Sequence, residues 1–124
     1  MIGLASGLKV FVCTQPADMR RSFDGLCGMA IAIIEQDPMS GHLFVFRNRN
    51  RDRLKILYWD RDGLAIWYKR LEKGTFQLPT DLIDKDNRPV KAEITGDQLG
   101  LLLGGIDLRS VERRKRYRHP NNPR

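Results

Sequence analysis

The sequence predicts a single α+β domain with a mainly antiparallel sheet of about four to six strands, one long N-terminal helix and one short C-terminal helix. Three observations lead to this fold class. The 124 residues suit one domain, 41% of them are hydrophobic, and their apolar patterns follow the order strand, helix, strands, helix. We expect the domain to span residues 1–108 and a basic tail to follow at 109–124.

The first two elements are a strand and the long helix. Residues 8–13 are almost all apolar and predict the strand. Asp18 has the side chain of a helix N-cap, so we expect the helix to begin at Met19. Apolar residues then recur at the spacing that places them on one helical face. They are Phe23, Leu26, Cys27, Ala30, Ile33 and Ile34.

The rest of the chain reads as strands followed by the short helix. Residues 60–63 have the composition of a hairpin turn in which Gly63 supplies a positive φ. Thr95 and Gln98 form a capping box, which predicts a helix start, and the glycines at 104 and 105 end that helix. Strands are predicted at Leu43–Arg47, 54–59 and 64–69, with weaker candidates at 75–78 and 90–94.

The net charge of +7 is concentrated in the tail. Residues 109–124 contain seven bases and one acid, whereas the preceding 108 residues contain fifteen bases and fourteen acids. A basic tail either keeps the protein in solution or contacts a polyanion such as nucleic acid. In the second interpretation the contacting residues are Arg113, Arg114, Lys115 and Arg116.

Cysteine usage points to a reducing compartment and away from zinc. Cys13 and Cys27 are the only cysteines, and they form no CxxC pair. A zinc finger needs four paired ligands, so we expect neither a metal site nor a cofactor. We also expect no signal peptide, and the sequence contains no apolar run long enough to span a membrane. We therefore expect a cytoplasmic, nucleoid-associated protein.

A base stands at every second position from Arg47 to Lys55. In an extended ribbon alternate side chains share a face, so Arg47, Arg49, Arg51, Arg53 and Lys55 would form one row. The planar guanidinium group suits phosphates and guanine edges. The row predicts a nucleic-acid contact. The alternative is a solvated loop that blunts the edge between two strands.

Two other basic pairs are candidates for nucleic-acid contact. Arg20 and Arg21 fall in the first turn of the predicted helix, where they either bind an anion or pair with an acid such as Asp18 or Asp24. Lys69 and Arg70 follow a set of aromatic residues, most of which we expect in the core and the rest of which can stack on bases. The aromatic residues are Tyr58, Trp59, Trp67 and Tyr68.

Asp60 and Asp62 suggest a different function, that of a metal-dependent nuclease, because two carboxylates at a strand end can hold a magnesium ion. The same Asp-Arg-Asp-Gly run is an ordinary turn sequence, and no third acidic ligand is marked. We therefore expect a turn without metal, and a protein that is not an enzyme.

Several segments together resemble the TnpB accessory proteins of insertion sequences of the sixty-six family, from about Leu8 to Asp107. The long RNA-guided nucleases of the same name are a different group. The resemblance implies a role in DNA transposition beside a small companion protein and a large transposase that has an acidic catalytic triad. The matching segments are PADMRR at 16–21, FDGL at 23–26, FVFRNR at 44–49, KILYWD at 55–60, Gly63, WYKRLEKGTF at 67–76 and LLGGI at 102–106.

These observations lead to a non-catalytic accessory protein that binds DNA at the element ends or organises the transposase complex, without a membrane. Two alternatives stay open. One is a metal-dependent nuclease that uses Asp60 and Asp62. The other is a pure protein-interaction adaptor that contacts the transposase through its aromatic sheet.

Overall fold

The computed structural model describes residues 7–78, 82, 85, 93–104, 106–107 and 112–113. Its helices are α1 (Phe23–Met29), which continues directly as a π-helix at Ala30–Ile34, and α2 (Gly96–Gly104). Its strands are β1 (Val10–Val12), β2 (Leu43–Arg47), β3 (Arg53–Asp60), β4 (Gly63–Arg70), β5 (Glu93–Ile94), β6 (Ile106–Asp107) and β7 (Glu112–Arg113).

Five strands form one mixed sheet in the order β4-β3-β2-β1-β5. β1 and β2 run parallel, with Val10 opposite Leu43, and the other neighbouring strands run antiparallel. The parallel pair arises because α1 carries the chain back along the sheet, so that β2 starts at the same end as β1. The structure is α+β in the broad sense, but the prediction of a mainly antiparallel sheet overlooked this strand–helix–strand unit.

The first helix is short, with seven α-helical and five π-helical residues, so the prediction of one long N-terminal helix is wrong. Asp18 does not cap it. Instead the Asp18 carboxylate accepts the backbone N–H of Arg20 at 2.9 Å, which closes a turn. The Lys55 ammonium donates to the carbonyls of Met19 and Arg21, both at 2.8 Å. In a helix that began at Met19, those carbonyls would accept N–H groups four residues later in the chain.

Both faces of the sheet are covered. On one face α1 and the π-helix pack against Phe11, Phe44 and Phe46. On the other face α2 and the segment around Phe76 pack against inward-facing residues of β1, β2 and β3, such as Ile56. Alternate residues of each strand therefore enter two separate apolar clusters, as the two-residue period of a strand requires.

The later elements agree with the sequence in part. The capping box is confirmed, since Thr95 N–H donates to Gln98 Oε1 at 2.9 Å and Gln98 N–H to Thr95 Oγ1 at 3.0 Å. Residues 75–78 form no strand, although Phe76 is fully buried. Of the candidate strand at 90–94, Glu93–Ile94 is a strand, and residues 90–92 lie outside the described residues.

Most of the basic tail also lies outside the described residues. β7 pairs antiparallel with β6, so a pair of strands bridges the expected domain boundary at residue 108. Within the part of the chain that the structure describes, neither helix has the length and apolar character needed to span a bilayer.

Candidate nucleic-acid interface

The topology brings three basic segments to one end of the sheet, which we call the basic end. β1 and β2 are parallel, so the loops that follow them, 13–22 and 48–52, leave at the same end. β3 begins at that end and β4 finishes there, because each runs antiparallel to its neighbour. Arg20, Arg21, the bases at 47–55 and the pair Lys69–Arg70 are thus neighbours in space although they are far apart in sequence.

The loop at 48–52 is a hydrogen-bonded turn and not an extended ribbon. Asn48 holds it, because its Nδ2 donates to Asp52 Oδ1 at 2.7 Å and its Oδ1 accepts Arg53 N–H at 3.0 Å. Arg51 adopts a left-handed conformation with a φ of 63°. The expected single row of five bases is therefore broken. Sequence reasoning missed Asn48, whose signal was the preference of asparagine for turns.

Two side chains of the expected row point into the protein and not toward solvent. Lys55 is 8% exposed, and besides its two carbonyl partners its Nζ lies 4.8 Å from the centre of the Tyr68 ring. Arg47 is half-buried, and its Nη1 donates to the carbonyl of Phe76 at 2.9 Å. These two cations fix the fold of the basic end, because they satisfy carbonyls that approach from other segments.

An open groove of about 430 Å³ lies between the loop after β1 and the loop after β2. Arg20, Arg49 and Arg53 line it, together with the carboxylates of Asp18 and Asp52. A second depression of about 200 Å³ on the other side of Arg49 is lined by Arg47 and Arg51 among others. Arg49 is exposed between the two and takes part in both.

Arg20 forms an ion pair on the surface. Its Nη2 lies 2.7 Å from Asp18 Oδ2, and its side chain is 92% exposed. The hydrogen bonds from Arg20 lower the pKa of Asp18 to about 2. Pairing with an acid, one of the two expectations for this arginine, is thus present. Arg21 is also exposed, and its aliphatic stem lies against Gly25, where a Cβ would come within 3.1 Å of Arg21 Cβ.

The end of β4 completes the surface. Arg70 stands directly opposite Arg53 in the β3–β4 ladder, and Lys69 stands opposite Leu54 on the other face of the sheet. Arg70 donates to Glu72 Oε1 at 2.7 Å, and this hydrogen bond raises the pKa of Arg70. The guanidinium group of Arg53 reaches the hydroxyl of Tyr68 at 3.4 Å.

The aromatic residues divide between core and surface. Tyr58 and Trp67 pack against the cluster under α2, and Trp59 Nε1 donates to the carbonyl of Arg61 at 3.1 Å. Tyr68 is 46% exposed, beside the bases of the basic end. It is the aromatic residue of this set that is placed to contact a ligand.

Asp60 and Asp62 lie at the opposite end of the sheet, in the hairpin that joins β3 to β4. The positive φ of this hairpin belongs to Arg61, at 59°, and not to Gly63 as the sequence suggested. Among the described residues, no group of three or more His, Cys, Asp or Glu side chains is arranged to hold a metal ion. The pair therefore has the geometry of a turn.

The remaining residues of interest are the two cysteines and the bases of the tail. Cys13 and Cys27 are free thiols whose pKa values are raised by burial. Arg113 belongs to β7, while Arg114, Lys115 and Arg116 lie outside the described residues.

Comparison with known proteins shows the family to which the chain is similar. A family model described as IS66 Orf2 like protein matches residues 8–113. "Uncharacterized protein y4jC" of Sinorhizobium fredii is 37% identical over 117 residues, or 92% of either chain. "Uncharacterized protein y4hO" of the same organism is 32% identical over 109 residues, covering 88% of this chain and 90% of the relative. No solved structure matches the chain.

The family match confirms the resemblance drawn from the sequence motifs, and it covers the five-stranded sheet, both helices and the basic end. The chain therefore belongs to the IS66 Orf2-like family, the accessory proteins associated with transposition of IS66 elements.

Proposed function

We propose that this protein is a non-catalytic accessory factor of transposition that binds DNA through its basic end. The supporting observation is the convergence of three basic segments on one end of the sheet, with Arg20, Arg49 and Arg53 around a single groove. Family membership supplies the transposition context, and the charge and shape of the basic end supply the argument for DNA. The transposase and the small companion protein of the same element are the proposed protein partners.

The contacts are proposed to be mainly with phosphates. Arg49, Arg51 and Arg53 surround the loop at 48–52, and their guanidinium groups suit the oxygens of the DNA backbone. Arg20 and Arg70 already donate to Asp18 and Glu72. Their contribution is weaker, because a phosphate has to compete with a carboxylate that is already in place.

Salt dependence of duplex binding tests this proposal. In the full chain, Arg49→Gln with Arg53→Gln removes two groove cations, and it should flatten the slope of log affinity against log salt by about 1.8. Glutamine keeps most of the side-chain length, so folding should be retained. The matched control removes two cations elsewhere, by Lys9→Gln with Arg61→Asn. Asparagine suits the positive φ at residue 61.

The outcomes separate the alternatives. If the groove variant loses the same affinity for an element end and for a scrambled duplex, the result supports phosphate contacts. If it loses only its preference for the element end, the arginines read bases. An unchanged slope in the groove variant, or an equal change in the control, would contradict DNA binding at the basic end. Magnesium-dependent cleavage that Asp62→Asn abolishes would contradict the non-catalytic role.

A further inference from the structure

The segment from residue 22 to 41 has a charge unlike the rest of this basic protein. Its twenty residues contain three acids and no lysine or arginine. The segment comprises α1, the π-helix and the turn that leads into β2. An acidic surface in a chain of net charge +7 repels the phosphates of DNA, so it is unsuited to DNA and needs a separate explanation.

The outer side of this segment is also apolar. Phe23 is 44% exposed, Ile31 59% and Met39 58%, and these are three of the five most exposed large apolar side chains among the described residues. Gly28 and Ala32 are exposed between them. Residues 23, 27 and 31 are spaced four apart, so they follow one side of the helix. We call this side of the helix the α1 face.

A groove of about 490 Å³ continues the α1 face toward the end of the sheet opposite the basic end. Ile31 and Pro38 provide its apolar lining, and Glu35 and Asp37 its acidic rim. The π-helix ends there at Ile34, and the next residue, Glu35, has a left-handed φ of 61°. π-Helical turns are rare and occur frequently at functional sites.

We propose that the α1 face binds a protein partner through an amphipathic helix whose apolar side chains are bordered by lysine and arginine. Ile31 and Met39 offer the apolar contact, and Asp24, Glu35 and Asp37 offer charges that a basic border complements. A second copy of this chain does not fit, because a two-fold contact would place these acids against one another. The inference goes beyond DNA binding and does not depend on it.

The test uses the full chain together with the purified transposase and the purified companion protein of the element, each titrated by calorimetry. One of them should bind, and Ile31→Ser should weaken that binding by about tenfold or more. Leu101→Ser on α2 is the matched control, since Leu101 is also exposed, at 41%, but lies on the other side of the sheet. The double variant Asp24→Asn with Glu35→Gln should weaken binding more at low salt than at high salt, because salt screens the charges that it removes.

Each result bears on the proposal. Selective loss in the Ile31→Ser variant with unchanged DNA affinity would support it and would leave the DNA proposal standing independently. Binding by neither protein, or equal losses in the Ile31→Ser and Leu101→Ser variants, would overturn it. Concentration-dependent self-association that Ile31→Ser abolishes would overturn it in favour of a second copy. Chemical shift changes along the α1 face after deletion of residues 114–124 would overturn it in favour of the chain's own tail.

Discussion

The two ends of the sheet are built in different ways. At the basic end the loops are tied by hydrogen bonds between distant segments: Leu71 N–H donates to Asp52 O and Phe76 N–H to Arg51 O, both at 2.7 Å. At the opposite end the β3–β4 hairpin closes through its own residues, with Trp59 Nε1 donating to the carbonyl of Arg61. A surface assembled from several segments can hold many like charges in fixed positions, whereas a tight hairpin only reverses the chain.

The two ends also differ in charge, since one is rich in arginine and the other contains several aspartates. The basic end gathers the arginines of three segments, while Asp37, Asp60 and Asp62 lie toward the other end. Such a polarity orients the domain in the field of a polyanion, with the basic end leading. The proposed contacts place DNA and a basic protein partner on different parts of the molecule.

The largest expected effect comes from the buried cation of the basic end. Lys55→Met keeps the aliphatic stem but leaves the carbonyls of Met19 and Arg21 without their charged donor, so we expect unfolding to become easier by about 1.5–3 kcal/mol. Urea denaturation followed by circular dichroism measures this. Lys69→Met, at an exposed position of β4, should change the stability by less than about 0.5 kcal/mol. Equal stabilities of the two variants would mean that Lys55 does not organise this end.

Asn48→Ala should have the next largest effect. The variant removes the hydrogen bonds to Asp52 and Arg53 that close the loop, and we expect a loss of about 1–2 kcal/mol. Asn50→Ala, an exposed change in the same loop, is the control and should be nearly neutral. Amide hydrogen exchange should also accelerate at Arg53 in the first variant alone. Unchanged protection there would show that the loop is held by its contacts with residues 71–76.

What the sequence predicted correctly was mostly local. The capping box of Thr95 and Gln98 and the hairpin at 60–63 each depend on residues within four positions of one another. The predicted start of α1 was wrong: the carbonyls of Met19 and Arg21 accept hydrogen bonds from Lys55, more than thirty residues away, and not from a helical turn. The strand–helix–strand order did contain the signal for a parallel pair, since a helical crossover is the usual connection between parallel strands.

The candidate site was predicted as residues but not as an arrangement. Alternating bases marked the segment 47–55, yet an alternation that assumes extended backbone fails where Arg51 turns left-handed. The neighbouring sequence does not distinguish Lys55 from Arg53. The turn at residues 19–21 buries Lys55, whereas Arg53 lines the groove. The grouping of Arg20 with Arg49 required the parallel order of β1 and β2.

Each end contains one arginine at positive φ, which allows a matched comparison. Arg51→Gly and Arg61→Gly should both stabilise the protein, by about 0.5–1 kcal/mol, because relief of the left-handed strain exceeds the extra entropy of glycine in the unfolded chain. Thermal unfolding measures the gain. Only Arg51→Gly should reduce the salt slope of duplex binding, by about 0.9. A similar reduction for Arg61→Gly would remove the distinction between the two ends.

The smallest effect concerns a single exposed pair at the rim of the groove. Arg20 lowers the pKa of Asp18 from 3.8 to about 2, chiefly through side-chain hydrogen bonds. A carboxyl group with a lowered pKa in the folded state stabilises the fold above its unfolded pKa, and this contribution is lost as the pH falls toward 2. Arg20→Gln should return the pKa of Asp18 part of the way to 3.8, since the backbone N–H of residue 20 still donates. Carbon-detected NMR titration of the Asp18 carboxyl group follows both proteins. An unchanged Asp18 pKa in the Arg20→Gln variant would show that the side chain of Arg20 does not hold this carboxylate in its charged form.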